Sequence, residues 1–287
     1  MRSGLAGRKG SVREVRVKDT KWERHGQLLI PRRSLLKGMG TMLALAPAAS
    51  LLGCGGRTGP WLDGDGTGNS GAWASGGTAV MTGNYPDPFA SGIGGSCTLY
   101  KASTLGPCHA ATVDRKDISE GVAGVPVRLA FLILDAACQP VPGATVELWH
   151  TSPSGLYSGS DAVNLCTFGD SAARASRWFR GIQTADAKGR VDFDTCFPGW
   201  YSGRTIHIHF TVRANGTEYL TSQLFFEDSL SNEIISSLSA YGSRGAKNTS
   251  NANDGVLRQS GLTAPYFQTQ RMDDGAMLAW KTLVVSA

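Results

Sequence analysis

Between residues 125 and 226 the apolar residues come in runs too short for most helices, with turn formers between them. That rhythm restricts the possible folds more than any other feature of the chain. Val125 to Leu134 (VPVRLAFLIL) is a β-rich apolar run, and Ala144 to His150 (ATVELWH) alternates in the manner of a half-buried strand. Pro140, Pro142 and Gly143 lie between them in a stretch dense in turn formers. Arg190 to Asp194, Thr205 to Val212 and Tyr219 to Phe226 repeat the strand pattern, and Ala185-Asp186-Ala187-Lys188-Gly189 predicts a hairpin turn. Helical periodicity is confined to one short candidate, Asn232 to Tyr241. Many short strands with regular turn signals predict an all-β fold, a β-sandwich core with long loops and little helix, over residues 96–287.

The first 95 residues read as an address and a linker. Arg32 and Arg33 precede a modestly apolar run, Gly38 to Gly53, that is too short and too rich in Gly, Ala and Pro to span a membrane. An arginine pair before such a run, with Lys37 close behind, predicts a twin-arginine export signal over 1–53. Leu51-Leu52-Gly53-Cys54 is similar to a bacterial lipobox, which makes Cys54 the expected site of lipidation and membrane attachment. The long stretch before the arginines is consistent with translation starting downstream of Met1. Residues 54–95 are rich in Gly, Ser, Thr, Asn and Asp, too poor in apolar surface to repay the entropy of ordering, and are expected to form a disordered tether. One or two of its aromatic residues can still dock on the domain.

Charge excludes one large class of partner. The chain carries a formal +5, yet residues 1–53 hold 11 Lys and Arg against 3 Asp and Glu. The remainder holds 17 against 20, so it is slightly acidic, with no basic stripe for nucleic acid. No phosphate loop, dinucleotide fingerprint or Gly-x-Ser-x-Gly elbow is present. Cys97, Cys108, Cys138, Cys166 and Cys196 form no CxxC pair, which argues against zinc-finger and thioredoxin chemistry, and export permits disulfides among them.

The segment richest in chemistry is Phe197-Pro-Gly-Trp-Tyr201-Ser-Gly-Arg204-Thr-Ile-His207-Ile-His209-Phe210. On a strand, residues two apart share a face, so His207 and His209 present two imidazoles together while Ile206, Ile208 and Phe210 face the core. Two such histidines make a ready pair of metal ligands. Tyr201 lies in the turn before the strand, where it can bend towards the same point. A lone His-x-His is more often structural. Here, however, two of the four histidines after residue 53 stand together with a tyrosine and an arginine on a glycine-flanked turn.

This segment resembles the iron-binding core of the intradiol ring-cleavage dioxygenases, the group of protocatechuate and catechol dioxygenases. The resemblance extends to Gly143-Ala-Thr-Val-Glu-Leu-Trp149-His150, to Gly155-Leu-Tyr157-Ser158, to Phe179-Arg-Gly181, to Asp186-x-x-Gly189-Arg190 and to Leu220-Thr-Ser-Gln223. It covers about residues 97–240. It implies a ferric ion, Fe(3+), held by Tyr157, Tyr201, His207 and His209. It also implies catalytic roles for Arg204, which steadies charge developing on the ring, for Gln223, which orients substrate, and for Tyr201, which leaves the metal as substrate binds. The implied reaction opens a catechol-type diol with O2, between the two hydroxylated carbons, to a muconate-type dicarboxylate. Phenolate and imidazole donors suit a hard trivalent ion. Where many members carry Glu-Gly-Pro-Tyr, this chain has Leu105-Gly106-Pro107-Cys108, so the substrate pocket differs, and no site for a ring carboxylate is recognisable. A Cys166–Cys196 bridge is favoured, because it would bracket the insertion that precedes the metal site.

The remaining candidates have plainer readings. Trp149 and Tyr219 are expected to pack, His150 to be structural or at the rim, and Arg180 to make a structural ion pair. His109 is as consistent with the surface as with the pocket. Two rival functions are a surface-anchored, non-catalytic module that binds phenols or glycans on the same sandwich, and a zinc hydrolase built on His207 and His209. The second lacks the carboxylate or third histidine usual at such a site.

Overall fold

The structure is a computed structural model that describes residues 71–92 and 97–287. The expected export signal over 1–53, Cys54 and residues 54–70 of the tether lie outside the described residues, as do 93–96.

Among the described residues, eight strands form two four-stranded sheets. In the first, β4 (Arg190–Cys196), β1 (Pro126–Leu134), β8 (Met277–Val284) and β7 (Gln268–Arg271) lie in that order. In the second the order is β3 (Arg180–Thr184), β2 (Thr145–Trp149), β5 (His207–Ala214) and β6 (Thr217–Phe225). All neighbours are antiparallel except β1 and β8. Period-2 patterning drives the stacking. Val127, Leu129, Phe131 and Ile133 of β1 face Val146 and Leu148 of β2 and Ile208, Phe210 and Val212 of β5 in one buried core. Phe131 and Phe210 meet across the layers with centroids 6.4 Å apart. The expected β-sandwich is the fold observed.

Several local expectations change. The turn at 185–189 forms, with the amide of Gly189 bonded to Asp186 O at 2.9 Å, but it is not a hairpin. It carries the chain from β3 in one sheet to β4 in the other, because each strand finds a different partner. The expected helix over 232–241 starts earlier and divides into α3 (Asp228–Ser237) and α4 (Ser239–Gly242), with an extended Leu238 between them. Short helices α1 (Asn164–Thr167), α2 (Ser171–Ala175) and α5 (Gly255–Ser260) occupy loops the periodicity does not reveal.

Residues 71–92 of the expected tether lie on the domain, where two of its aromatic residues, Trp73 and Tyr85, dock as the sequence allows. Trp73 donates its indole N–H to Glu233 at 2.7 Å and packs beside the core, with the Arg271 guanidinium 5.0 Å over its ring. The Tyr85 hydroxyl bonds Asp274 at 2.8 Å, and the amide of Gly77 bonds the carbonyl of Gly124 at 2.9 Å. These anchors offset the ordering entropy that the composition alone cannot repay.

The bridges are Cys97–Cys138 and Cys108–Cys166, and Cys196 is a buried free thiol. The favoured Cys166–Cys196 pairing is therefore overturned. Cys196 ends β4 inside the sandwich and donates to the carbonyl of Val122, whereas Cys166 sits on α1 beside the segment that carries Cys108. No helix among the described residues is long and apolar enough to cross a membrane.

Candidate active site and metal centre

Strand β5 carries two of the candidate ligands and two loops carry the others. His207 and His209 share one face of β5, both nearly inaccessible, with ring centroids 4.9 Å apart. Ile206, Ile208 and Phe210 point into the core, as the alternation requires. Tyr157 and Tyr201 come from loops locked together backbone to backbone. A side chain at Gly199 would stand 2.1 Å from Pro153 O, and one at Gly155 would stand 2.2 Å from Trp200 O. Only glycine at both positions lets the loops close. The amide of Gly199 then bonds Ser152 O at 3.0 Å, and the Thr151 hydroxyl bonds Gly199 O at 2.7 Å.

This closure brings both phenols to one imidazole nitrogen. The hydroxyls of Tyr157 and Tyr201 lie 3.3 and 3.2 Å from His207 Nε2. His207 Nδ1 contacts the carbonyl oxygen of Thr205 at 2.7 Å. A carbonyl can only accept, so Nδ1 carries the proton and, in the neutral ring, Nε2 presents a lone pair to the phenols. Burial, reinforced by Arg204, holds the His207 pKa well below its ordinary value, and burial with His207 does the same for His209. Both rings are therefore neutral and free to donate electron pairs. Burial pushes the Tyr157 phenol well above its ordinary 10 and raises Tyr201 as well, against the opposing pull of Arg204.

The donor set fits a hard trivalent cation. Two buried imidazoles, the buried Tyr157 phenol and the half-buried Tyr201 phenol converge, and His209 Nδ1 is buried without a hydrogen-bond partner. Leaving such an atom unpaired costs about 1–3 kcal/mol. A bound cation would favour both phenolates, which burial alone disfavours. Among the described residues no group of three or more His, Cys, Asp and Glu forms an alternative metal set.

Arg204 and Gln223 also reach this neighbourhood. Gln223 pairs with His209 across β5 and β6, and its carboxamide oxygen accepts from Arg204 Nη2 at 2.6 Å. The Gln223 Nε2 donates to Thr104 O at 3.1 Å, tying in the segment that continues through Gly106 to Cys108. Sequence reasoning missed Asp254, which is wholly buried and accepts from Arg204 Nε at 2.8 Å and from the backbone amides of Thr205, Val256 and Leu257. It caps α5 and balances the arginine charge in one position. A local signal existed, since an aspartate before a short helical run is a common N-cap, but nothing nearby in sequence pointed to Arg204.

Trp149 and His150 keep the expected packing and structural roles, whereas Arg180 does not. Trp149 does pack, but against the site: its ring stacks on His209 at 5.1 Å and 13°, and His109 meets it edge-on at 4.8 Å. His109 bonds Glu147 at 2.8 Å. Arg180 makes no carboxylate pair. It is fully buried, donates to the carbonyls of Ser158 and Cys108, and lies 5.9 Å over the Tyr157 ring. Burial lowers its pKa to about 10. His150 is structural, donating from Nδ1 to Thr151 O and pairing through Nε2 with the Thr195 hydroxyl, both at 2.8 Å.

Known proteins share the sequence family and the fold. A family model described as Dioxygenase matches residues 99–254. Chlorocatechol 1,2-dioxygenase of Pseudomonas sp. (strain P51) is 30% identical over 107 residues, which are 31% of this chain and 38% of that protein. Catechol 1,2-dioxygenase 1 of Acinetobacter lwoffii is 26% identical over 133 residues, 40% of each chain. The chain thus spans about two fifths of the length of these curated relatives. An intradiol ring-cleavage dioxygenase from Tetranychus urticae superposes with a TM-score of 0.58 at 28% identity, over 66% of this chain and 94% of that one. With the family match spanning more than half its length and the same sandwich beneath it, the chain belongs to the intradiol ring-cleavage dioxygenase family.

Proposed function

We propose that the chain is a ferric intradiol dioxygenase that opens a catechol-type diol with O2 to a muconate-type dicarboxylate. The observation that carries this reading is the convergence of Tyr157 and Tyr201 on His207 Nε2, at 3.3 and 3.2 Å, with His209 beside it. In this reading those four side chains hold the iron. Ferric iron, when bound, activates the diolate towards O2. Both oxygen atoms enter the product, and the carbon–carbon bond between the hydroxylated positions breaks as two carboxylates form.

The chain's own groups bind, orient and take protons. Both phenols line the cavity, and Tyr201 is the less buried of the two, so it would be the side chain that yields most readily to a bound diol. Burial raises the Tyr201 pKa, so as a phenolate it would accept a diol proton at Oη. Arg204, fixed by Asp254 and Gln223, supplies preorganised positive charge where negative charge grows on the ring. Gln223 spends both ends of its carboxamide on Arg204 and Thr104, so its part is to hold the arginine and the pocket wall.

The test combines oxygen uptake against a panel of substituted catechols with iron analysis and the visible spectrum. We expect about one iron per chain, a tyrosinate charge-transfer colour and ring-opened products. His207→Ala should lose all three. A colourless, iron-free protein that still binds phenols would favour the non-catalytic surface module instead. We further propose export by the Arg32-Arg33 signal and anchoring through lipidated Cys54, a reading supported by the two disulfides, which suit an oxidising compartment. Arg32→Lys with Arg33→Lys should retain the precursor in the cytoplasm, and unchanged delivery would overturn that part.

A further inference from the structure

Beside Tyr157 and Tyr201 lies a cavity of about 250 Å³ whose other wall is Leu165, Phe168 and the Cys108–Cys166 disulfide. An apolar cavity of about 150 Å³ is enough for benzene, so this one exceeds the needs of a single ring. None of its lining side chains is charged. The lip of the cavity is also unusually apolar for a surface. Of the seven large hydrophobic side chains that stand exposed among the described residues, Val163, Leu165 and Phe168 fall within six positions, with exposures of 50, 71 and 58%. Clustered exposed apolar side chains beside a cavity mark a contact site more often than scattered ones do.

Phe168 has a second peculiarity. It closes α1 in the left-handed conformation, φ 48°, a position where a bulky residue is strained and glycine is usual. Burial does not compensate, since the ring is mostly in solvent. Core packing therefore does not account for a phenylalanine there. The disulfide fixes α1 to the segment running from Thr104, which Gln223 and Arg180 hold in turn. The lip is thus built onto the site.

We propose that Leu165 and Phe168 form a subsite for an apolar substituent on the diol ring, so that the preferred substrates are aryl- or branched-alkyl-substituted catechols. The inference rests on the proposed ring-cleavage activity and names its substrate class. Tyr157 and Tyr201 line the same cavity as Leu165 and Phe168, so a diol whose oxygens met the phenols would turn a ring substituent towards this lip. No charged side chain lines the cavity to pair with a ring carboxylate, and Arg244 behind Gly155 is engaged with Ser154 O, so acidic catechols are disfavoured.

The experiment compares kcat/KM of the iron-loaded full chain for 4-phenylcatechol, catechol and 3,4-dihydroxybenzoate. Parallel anaerobic calorimetry with the same three ligands does not depend on turnover. Added apolar contact of this size is worth about ten- to two-hundred-fold in discrimination. We expect 4-phenylcatechol to exceed catechol by at least about tenfold and 3,4-dihydroxybenzoate to fall below both. The double variant Leu165→Ser, Phe168→Ser should bring the ratio of 4-phenylcatechol to catechol close to one. Equal values for these two in the unaltered protein, or a ratio untouched by the double variant, overturn the subsite. Absence of ring opening with every catechol would defeat the activity instead, and the binding ratios would still decide the subsite.

Discussion

Replacing Asp254 by alanine removes one carboxylate and strands four donors, which makes it the sharpest test of how the site is held. The carboxylate is wholly buried and accepts from Arg204 Nε and Thr205 N at 2.8 Å and from Val256 N and Leu257 N at 2.9 Å. Breaking a buried ion pair from one side costs about 3–5 kcal/mol, and losing an N-cap costs about 1 kcal/mol. The Arg204 side chain keeps 15% of its surface, so water takes up part of the stranded charge. The total is then about 3–4 kcal/mol, or a fall of about 6–16 °C in thermal midpoint for a domain of this size. Urea unfolding with disulfides intact measures it directly. Asp254→Asn keeps an oxygen for the α5 amides but loses the charge, and should fall between the alanine variant and the unaltered protein. A double-mutant cycle with Arg204→Met should return a coupling of at least about 1 kcal/mol. A loss below about 1 kcal/mol for Asp254→Ala, or strict additivity in the cycle, would refute the account of Arg204 as a charge fixed by this partner.

Three further outcomes follow from the same packing. Gly106→Ala puts a methyl group 2.9 Å from His209 Cε1 at a residue with φ 75°, so both iron content and thermal midpoint should drop; a normal value for each would show that the Thr104–Cys108 segment yields freely. Burial holds His150 at about 3 in the folded state against an ordinary 6.5, so the unfolded chain binds the extra proton and stability falls as pH drops from about 6.5 towards 3, by up to about 1.4 kcal/mol per pH unit. Glu147 adds to this from its ordinary 4.5 down to about 2: burial opposes its ionisation, but hydrogen bonds from His109 and Arg213 overcome that, and a urea midpoint flat between pH 7 and 4 would contradict the His150 contribution. Removing the Cys108–Cys166 bridge, which closes a separation of 58 residues, should cost about 4 kcal/mol by loop entropy, whereas Cys196→Ser should cost far less; the reverse ranking would restore the Cys166–Cys196 pairing.

Local periodicity made much of the fold and part of the site legible. A strand turns alternate side chains to opposite faces whatever surrounds it, so β2, β5 and β6 could be read from their alternation, and β1 from its continuous β-rich apolar run. The same geometry put His207 and His209 on one face with Ile208 between them in the core. Tyr201, only six residues before His207, belongs to the same local reading. β7 escaped because its four residues bury almost nothing, and β8 escaped although it is largely buried.

The sequence by itself determined the two-sheet class and the imidazole pair, because both depend on backbone geometry over a few residues. Only the tertiary structure decided what lies between distant segments. It chose Cys108 rather than Cys196 for Cys166, gave Arg180 two backbone carbonyls instead of a carboxylate, and set Asp254 against Arg204, fifty positions away. It also drew residues 71–92 onto the domain through Trp73 and Tyr85, although their composition is that of a linker. The reason is common to all four. Composition and spacing describe what a segment can do alone, while a long-range contact forms only where the packing of two sheets brings particular donors and acceptors together and removes the water that would otherwise satisfy them.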